Sequence, residues 1–142
     1  MSRDHDLREL LAAGSIGVLA TLRSDGRPQL SPVQPSYDRA RDVILISTRD
    51  GLAKTHNLRR DPRAALEVTS GDGLAWATAE GVATLHGPGT APDDPAVEAL
   101  VDYYRTAAGE HPDWDEYRQV MVADRRVLIE LHIGHVYGDS IA

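Results

Sequence analysis

The chain has 142 residues, a net charge of -7 and no cysteine. That length suits one domain. The missing thiols exclude disulfides, thiol catalysis, iron–sulfur clusters and cysteine-containing zinc sites, and the acidic balance argues against general nucleic-acid binding. The longest nearly uncharged apolar stretch, residues 16–22, falls far short of the ~20 residues of a membrane helix. The acidic start MSRDHDLREL lacks the basic and apolar regions of a signal peptide. We therefore expect a cytoplasmic protein that works without membrane or nucleic acid.

Residues 4–13 read as a short amphipathic helix, with Leu7, Leu10 and Leu11 at helical spacing and Gly14 as its stop. Residues 16–22 form a strand, and Ser24-Asp25-Gly26 turns it back into residues 27–37. That returning strand holds Pro28, Pro32 and Pro35, each lacking a ladder donor, so it belongs at an edge, at a bulge or where a ligand approaches. Val43 to Ser47 is a buried strand, Asp50 to Arg60 a helix ended by Asp61-Pro62, and Ala64 to Thr69 a further strand. Leu74 to Leu85 alternates and is interrupted by Gly81, which signals a bulge or a close backbone approach. Two helices follow, opened by the caps Asp94-Pro95 and Asp113 with Glu116. Val127 to Val136 closes the chain as a strand. The expected fold is mainly β: a small antiparallel barrel of six or seven strands with helices outside, in one domain over residues 1–142 with a helical insertion at about 93–125.

The strongest chemical signal is STRDGLAKTHN, residues 47–57. A buried strand ends in Ser47 and Thr48 and leads into a helix N-terminus, where free N–H groups and a partial positive charge attract anions. Lys54 is the only lysine among fifteen cationic side chains, and Asn57, three residues on, shares its helix face. Ser47, Thr48 and Lys54 would hold a phosphate; simple capping by Asp50 is the plainer reading. Trp76, among small residues, would cap a ring or plug the core. Arg59, Arg60 and Arg63 suit a helix C-terminus, and the acids at 93–94 and 113–116 suit helix starts. His132 and His135, three apart on a strand, should face opposite ways, so we expect no metal site. Phosphate-loop, dinucleotide and nucleophile-elbow motifs are missing from the sequence.

These residues resemble a known family. GVLATL, DGRPQLSPV, ILIST, the K-x-x-NLRRDPRAAL run and AEG at residues 79–81 are similar to the pyridoxamine-phosphate-oxidase-like flavin/deazaflavin split β-barrels. APDD and GEHPDWDEYRQVMVADRRVL with the later HVYG resemble the branch using the deazaflavin F420. The resemblance spans residues 7–138 and implies a homodimer of six-stranded split barrels with two cofactor sites at the interface. It implies that Gln29, Leu30 and Ser31 line the cofactor ring, that Lys54, Thr48, Ser47 and Asn57 hold its phosphate, and that Trp76 leans on the ring from the partner subunit. Relatives often carry Arg where Leu52 and His56 stand here, and an aromatic near Leu74. The implied activity is hydride transfer from reduced F420 to an unsaturated small molecule, with Tyr137, His135 and Arg126 as candidates for the substrate pocket. FMN as cofactor, and a carrier that binds F420 without turnover, are the alternatives.

Overall fold

The computed structural model describes residues 3–13 and 16–140; the expected helix stop at Gly14 lies outside them. The chain runs α1 (Arg3–Ala13), β1 (Gly17–Leu22), β2 (Pro28–Val33), β3 (Ser36–Asp38), β4 (Val43–Arg49), α2 (Ala53–Arg60), β5 (Arg63–Thr69), β6 (Ala75–His86), α3 (Pro95–Ala108), α4 (Trp114–Ala123) and β7 (Arg126–Ser140). The strands form one antiparallel sheet in the order β2-β1-β5-β6-β7-β4-β3.

The sheet has seven strands where the resemblance implied six. The extra one arises because the expected strand 27–37 divides at Gln34-Pro35: β2 pairs with β1, and β3 pairs with β4 at the opposite edge. Pro35 cannot donate to a ladder, and the break lets the chain cross between the edges. The two ends of the sheet are thus joined by covalent chain rather than by hydrogen bonds, which is the split of a split barrel. The prolines fall where a lost donor costs least, Pro28 and Pro32 lying on an edge strand.

Alternation decides what each strand buries. Leu19, Ile44, Ile46, Leu66, Val68, Ala77, Ala79, Ile129 and Leu131 point into the barrel with Leu7 and Leu11 of α1. The opposite face of β4 and β7 contributes Val43, Leu45 and Leu128 to a second core under α3 and α4, with Val97, Leu100, Val101, Tyr117 and Met121. Each fully buried Leu, Ile or Val stabilises by about 1.5–3 kcal/mol. The helix starts follow the expected chemistry: Asp94 caps α3 by accepting from the Ala96 N–H, with Pro95 next, and Asp113 caps α4 by accepting from the Glu116 N–H. The Tyr117 hydroxyl donates to the Leu100 carbonyl at 2.9 Å, and burial pushes its pKa up to about 12.

Both readings of Gly81 hold. The β6–β7 register shifts between Glu80 and Gly81, leaving Gly134 as the extra residue of β7. A Cβ on Gly81 would also lie 1.8 Å from the His132 carbonyl oxygen. The bulge corrects the histidine argument. Before it, Ile129, Leu131 and Ile133 point inward; after it, Val136 does. His132 and His135 therefore both emerge on the outer face. They engage different partners even so: His132 contacts Thr84, while His135 stacks on Tyr137. Among the described residues no group of three or more His, Cys, Asp or Glu is placed to hold a metal ion, and no helix is long and apolar enough to cross a membrane.

Candidate cofactor site

The candidate residues sort into two ends of the barrel. At one end β4 finishes at Thr48 and Arg49, and α2 begins after Gly51, which takes a left-handed φ of 85°. Asp50 does not cap α2. The cap position is Leu52, with no side-chain hydrogen bond, whereas Asp50 accepts from Arg59 at 2.6 Å and from Arg125 at 3.1 Å. The first turn of α2 keeps its electropositive end open.

Lys54 stands in that turn, half-buried, and has no ion-pair or hydrogen-bond partner among the described residues. Burial, and then repulsion from nearby Arg49, push its ammonium below the usual lysine range. Arg49 also lacks a counter-ion among the described residues and lies directly across the ladder from Arg126, a like-charge pairing that is destabilising by itself. Arg126 has a buried Nε without a hydrogen-bond partner, its nearest carboxylate oxygen being on Asp124 at 3.8 Å. Two strand-end guanidiniums and an unpaired ammonium form a cationic corner suited to an anion.

Thr48 and Ser47 leave their strand on opposite faces. Thr48 is buried on the side of Ile44 and Ile46, and Ser47 shares the outer face with Leu45 and Arg49. The structure therefore does not bring both hydroxyls to one point. Asn57 also has work elsewhere: its Nδ2 donates to Thr21 Oγ1 at 3.1 Å, its Oδ1 accepts from Arg60, and Thr21 Oγ1 donates to Gln29 Oε1 at 3.2 Å. The Asn57–Thr21–Gln29 chain fastens α2 to β1 and β2, and so sets the position of Lys54 relative to the edge strand.

That edge strand fits a flat heterocycle. β2 pairs only with β1, so its other edge keeps free backbone groups. Gln29 and Ser31 point inward beside Thr21 and Leu19, while Leu30 is 62 % exposed on the outer face. Ser31 Oγ is buried without a hydrogen-bond partner, an unmet polar atom that a ligand would satisfy.

The other end holds Trp76 and Tyr137, whose rings meet edge-to-face at 5.9 Å, and His135, stacked on Tyr137 at 5.7 Å. Along β7 this cluster is far from the cationic corner. Thr48 pairs with Val127 and Trp76 with Asp139, a separation of roughly 40 Å of strand at about 3.3 Å per residue. Within one chain Arg126 thus lies at the corner, apart from Tyr137 and His135, with which the sequence reading grouped it. What sequence reasoning missed there is Arg49, although it stands inside the STRDGLAKTHN segment between Thr48 and Asp50.

Between these ends the outer face of β1, β5, β6 and β7 carries a cavity of about 500 Å³ around the bulge, lined among others by Leu22, Ala65, Glu80, Val82 and His135. Val18, Leu30, Val82 and Tyr137 are exposed on this face.

Known proteins share this fold. The sequence matches the pyridoxamine 5'-phosphate oxidase family over residues 4–138. The fold superimposes on a conserved hypothetical protein of Mycobacterium tuberculosis with a TM-score of 0.73 and 25% identity, covering 99% of this chain and 86% of that one. It superimposes on an F420 reductase with a TM-score of 0.64 and 22% identity, covering 92% and 94% of the two chains. A FAD-binding protein of Mesorhizobium loti gives a TM-score of 0.63 at 20% identity, covering 97% and 87%. With nearly its whole length matched and its sheet split between β2 and β3, the chain belongs to the pyridoxamine 5'-phosphate oxidase family.

Proposed function

We propose that this protein is an oxidoreductase that binds F420 and delivers a hydride to an unsaturated small organic molecule. The observation that carries the reading is Lys54: a single lysine, half-buried, without an ion-pair partner among the described residues and repelled by Arg49 at an uncapped helix start. Such a cation is unfavourable without an anion and favourable with one.

When bound, the deazaflavin supplies the hydride, so the protein needs no nucleophile of its own. Lys54 and Arg49 would hold the phosphate. The free edge of β2 and the Ser31 hydroxyl would orient the ring, and the Asn57–Thr21–Gln29 chain keeps these two contacts at a fixed spacing. Trp76 would cover the ring from a partner subunit, because within one chain it lies at the far end of β7 from Lys54. The exposed apolar side chains of the outer face, Val18, Leu30 and Val82, support a second copy there. Tyr137 and His135 would then stand beside the open ring face and offer hydrogen bonds to charge developing on the substrate.

FMN is the second reading. Leu52 and His56 stand where relatives often carry arginines, and His56 is exposed. FMN ends at its phosphate and needs no cations beyond Lys54 and Arg49.

The test is fluorescence titration with oxidised F420 and, separately, with FMN, together with the molar mass in solution. Low-micromolar or tighter F420 binding, weak FMN binding and a dimer are the expected results. Tighter FMN binding would transfer the assignment to FMN. Failure to bind either would overturn the oxidoreductase reading, and tight F420 binding without hydride transfer across a broad substrate panel would make the protein a carrier.

A further inference from the structure

Two further cavities lie between α3 and the β3–β4–β7 side of the sheet. One, of about 280 Å³, is lined by Asp38, Arg41, Asp102, Tyr103 and Glu130 among others. The next, of about 430 Å³, is lined by Gln34, Pro35, Tyr37, Tyr103 and Tyr104 with small residues of α1 and α3. Tyr103 and Thr106 line both, so the cavities meet at this pair. Together they fall within the ~300–1,000 Å³ of small-molecule sites.

The two halves differ in chemistry. The first sets three carboxylates, Asp38, Asp102 and Glu130, against one guanidinium, Arg41, with His86 beside them. Glu130 forms its floor with a side chain only 9 % exposed, accepting from Arg41 and lying 3.3 Å from His86 Nε2. Burial alone would raise its pKa, but His86 and Arg41 hold it below the usual glutamate range, so it stays a carboxylate. Asp38 and Glu130 already share Arg41. Asp102, exposed at the mouth, makes no hydrogen bond or close ion pair among the described residues; Arg118, bonded to Glu98, acts on its charge from further off, and the cleft's own lining stays net acidic. The second half holds no charged residue and presents three tyrosine rings and a proline. The Tyr103 hydroxyl has no hydrogen-bond partner among the described residues, though the Arg126 guanidinium acts on it from nearby, while the Tyr37 hydroxyl is committed to Asp42 at 2.6 Å. Tyrosine faces attract cations as well as flat apolar groups.

We propose that this cleft is a binding site for a small organic cation, a protonated amine on a flat aromatic body, with the ammonium at Asp102 and Glu130 and the body among Tyr37, Tyr103 and Tyr104. A bare metal ion does not fit, since no three acidic or histidine side chains among the described residues converge on a point. The site stands independently of the cofactor assignment. It borders Gln34 and Pro35, the link that leaves β2, so a ligand here would press on the chain next to the edge strand.

The test uses 9-aminoacridinium, a planar fluorescent cation, and acridone, its uncharged counterpart, titrated by fluorescence anisotropy at low ionic strength. We expect the cation to bind at least tenfold more tightly than acridone. Asp102→Asn should weaken the cation about tenfold, the worth of one charge-assisted contact, and leave acridone unchanged. Tyr103→Ala should weaken both dyes. Asp93→Asn removes an equal charge from an exposed position outside the cleft and reports general attraction to an acidic protein. Equal binding of the two dyes, equal losses in Asp102→Asn and Asp93→Asn, or no loss in Tyr103→Ala would each overturn the proposal. Circular dichroism of each variant confirms that it is folded.

Discussion

Gly81 faces the His132 carbonyl so closely that a β-carbon at residue 81 would lie 1.8 Å from that oxygen, in the middle of the longest strand pair of the barrel. The obstacle is backbone, which cannot rotate aside as a side chain can. Gly81→Ala should therefore cost about 3 kcal/mol, seen as a lower midpoint in urea unfolding. Gly134, the bulge residue, meets its nearest such atom, the Glu80 carbonyl oxygen, only at 3.6 Å. Gly134→Ala should stay within about 1 kcal/mol of the parent. Equal effects of the two substitutions would contradict this account of the bulge.

The role proposed for Lys54 sets stability against function. Its ammonium is held below the usual lysine range by burial and by Arg49, so the folded apoprotein binds that proton less readily than the unfolded chain. Lys54→Met should leave the melting temperature of the apoprotein unchanged or higher, while phosphate-bearing cofactor affinity falls about 10- to 150-fold. Affinity of the parent should also decline as pH rises through the lowered lysine pKa, because a bound anion favours the charged form. That decline should vanish in Lys54→Met. A lower melting temperature together with unaltered affinity would make Lys54 a structural residue.

Asn57 is placed to act through Thr21. Asn57→Ala should cost about 2 kcal/mol, because it unmakes a buried hydrogen bond. In a double-mutant cycle with Thr21→Val, the coupling should be about 1 kcal/mol. Cofactor affinity should fall less than in Lys54→Met. A larger affinity loss than stability loss would place Asn57 on the ligand.

The pH dependence of stability follows from the carboxylates. Asp42 is held below the usual range by the hydrogen bond from Arg8, against burial and with help from the Tyr37 hydroxyl. Arg59 and then Arg125 do the same for Asp50, and Arg41 for Asp38. For each, the unfolded chain takes up a proton at higher pH than the folded one. Their stabilisation is present above the unfolded pKa of about 4 and is lost as pH falls through the lower folded values. Thermal melts should be flat from pH 7 to 5 and drop below about pH 4. Asp42→Asn keeps a residue tolerant of the observed φ of 55°. It should lower the melting temperature at pH 7 and make the acid limb shallower.

Much of the fold could be read along the chain because its causes are local. The caps at Asp94 and Asp113, the turn at Gly26, the irregularity at Gly81 and the edge placement of a proline-bearing strand depend on residues a few positions apart. The division of residues 27–37 between opposite edges was not legible, because Pro35 marks a break without saying where the next segment pairs. The candidate site was legible at Lys54, where a lone lysine follows a strand end. It was less so at Ser47 and Asn57, whose directions depend on the barrel's inside and outside.

The sequence by itself determined the kind and order of most elements, the family, and residues 47–57 as the candidate anion-binding segment. Propensity, capping and alternation act through neighbours on the chain, which a sequence displays. The tertiary structure alone decided which residues meet. It set Asn57 against Thr21, moved Arg126 beside Arg49, turned His132 and His135 to one face through the extra residue at Gly134, and sent Trp76 to the far end of β7 from Lys54. Those relations depend on strand register and on one unpaired residue in a ladder, and a shift of one position reverses every side chain beyond it.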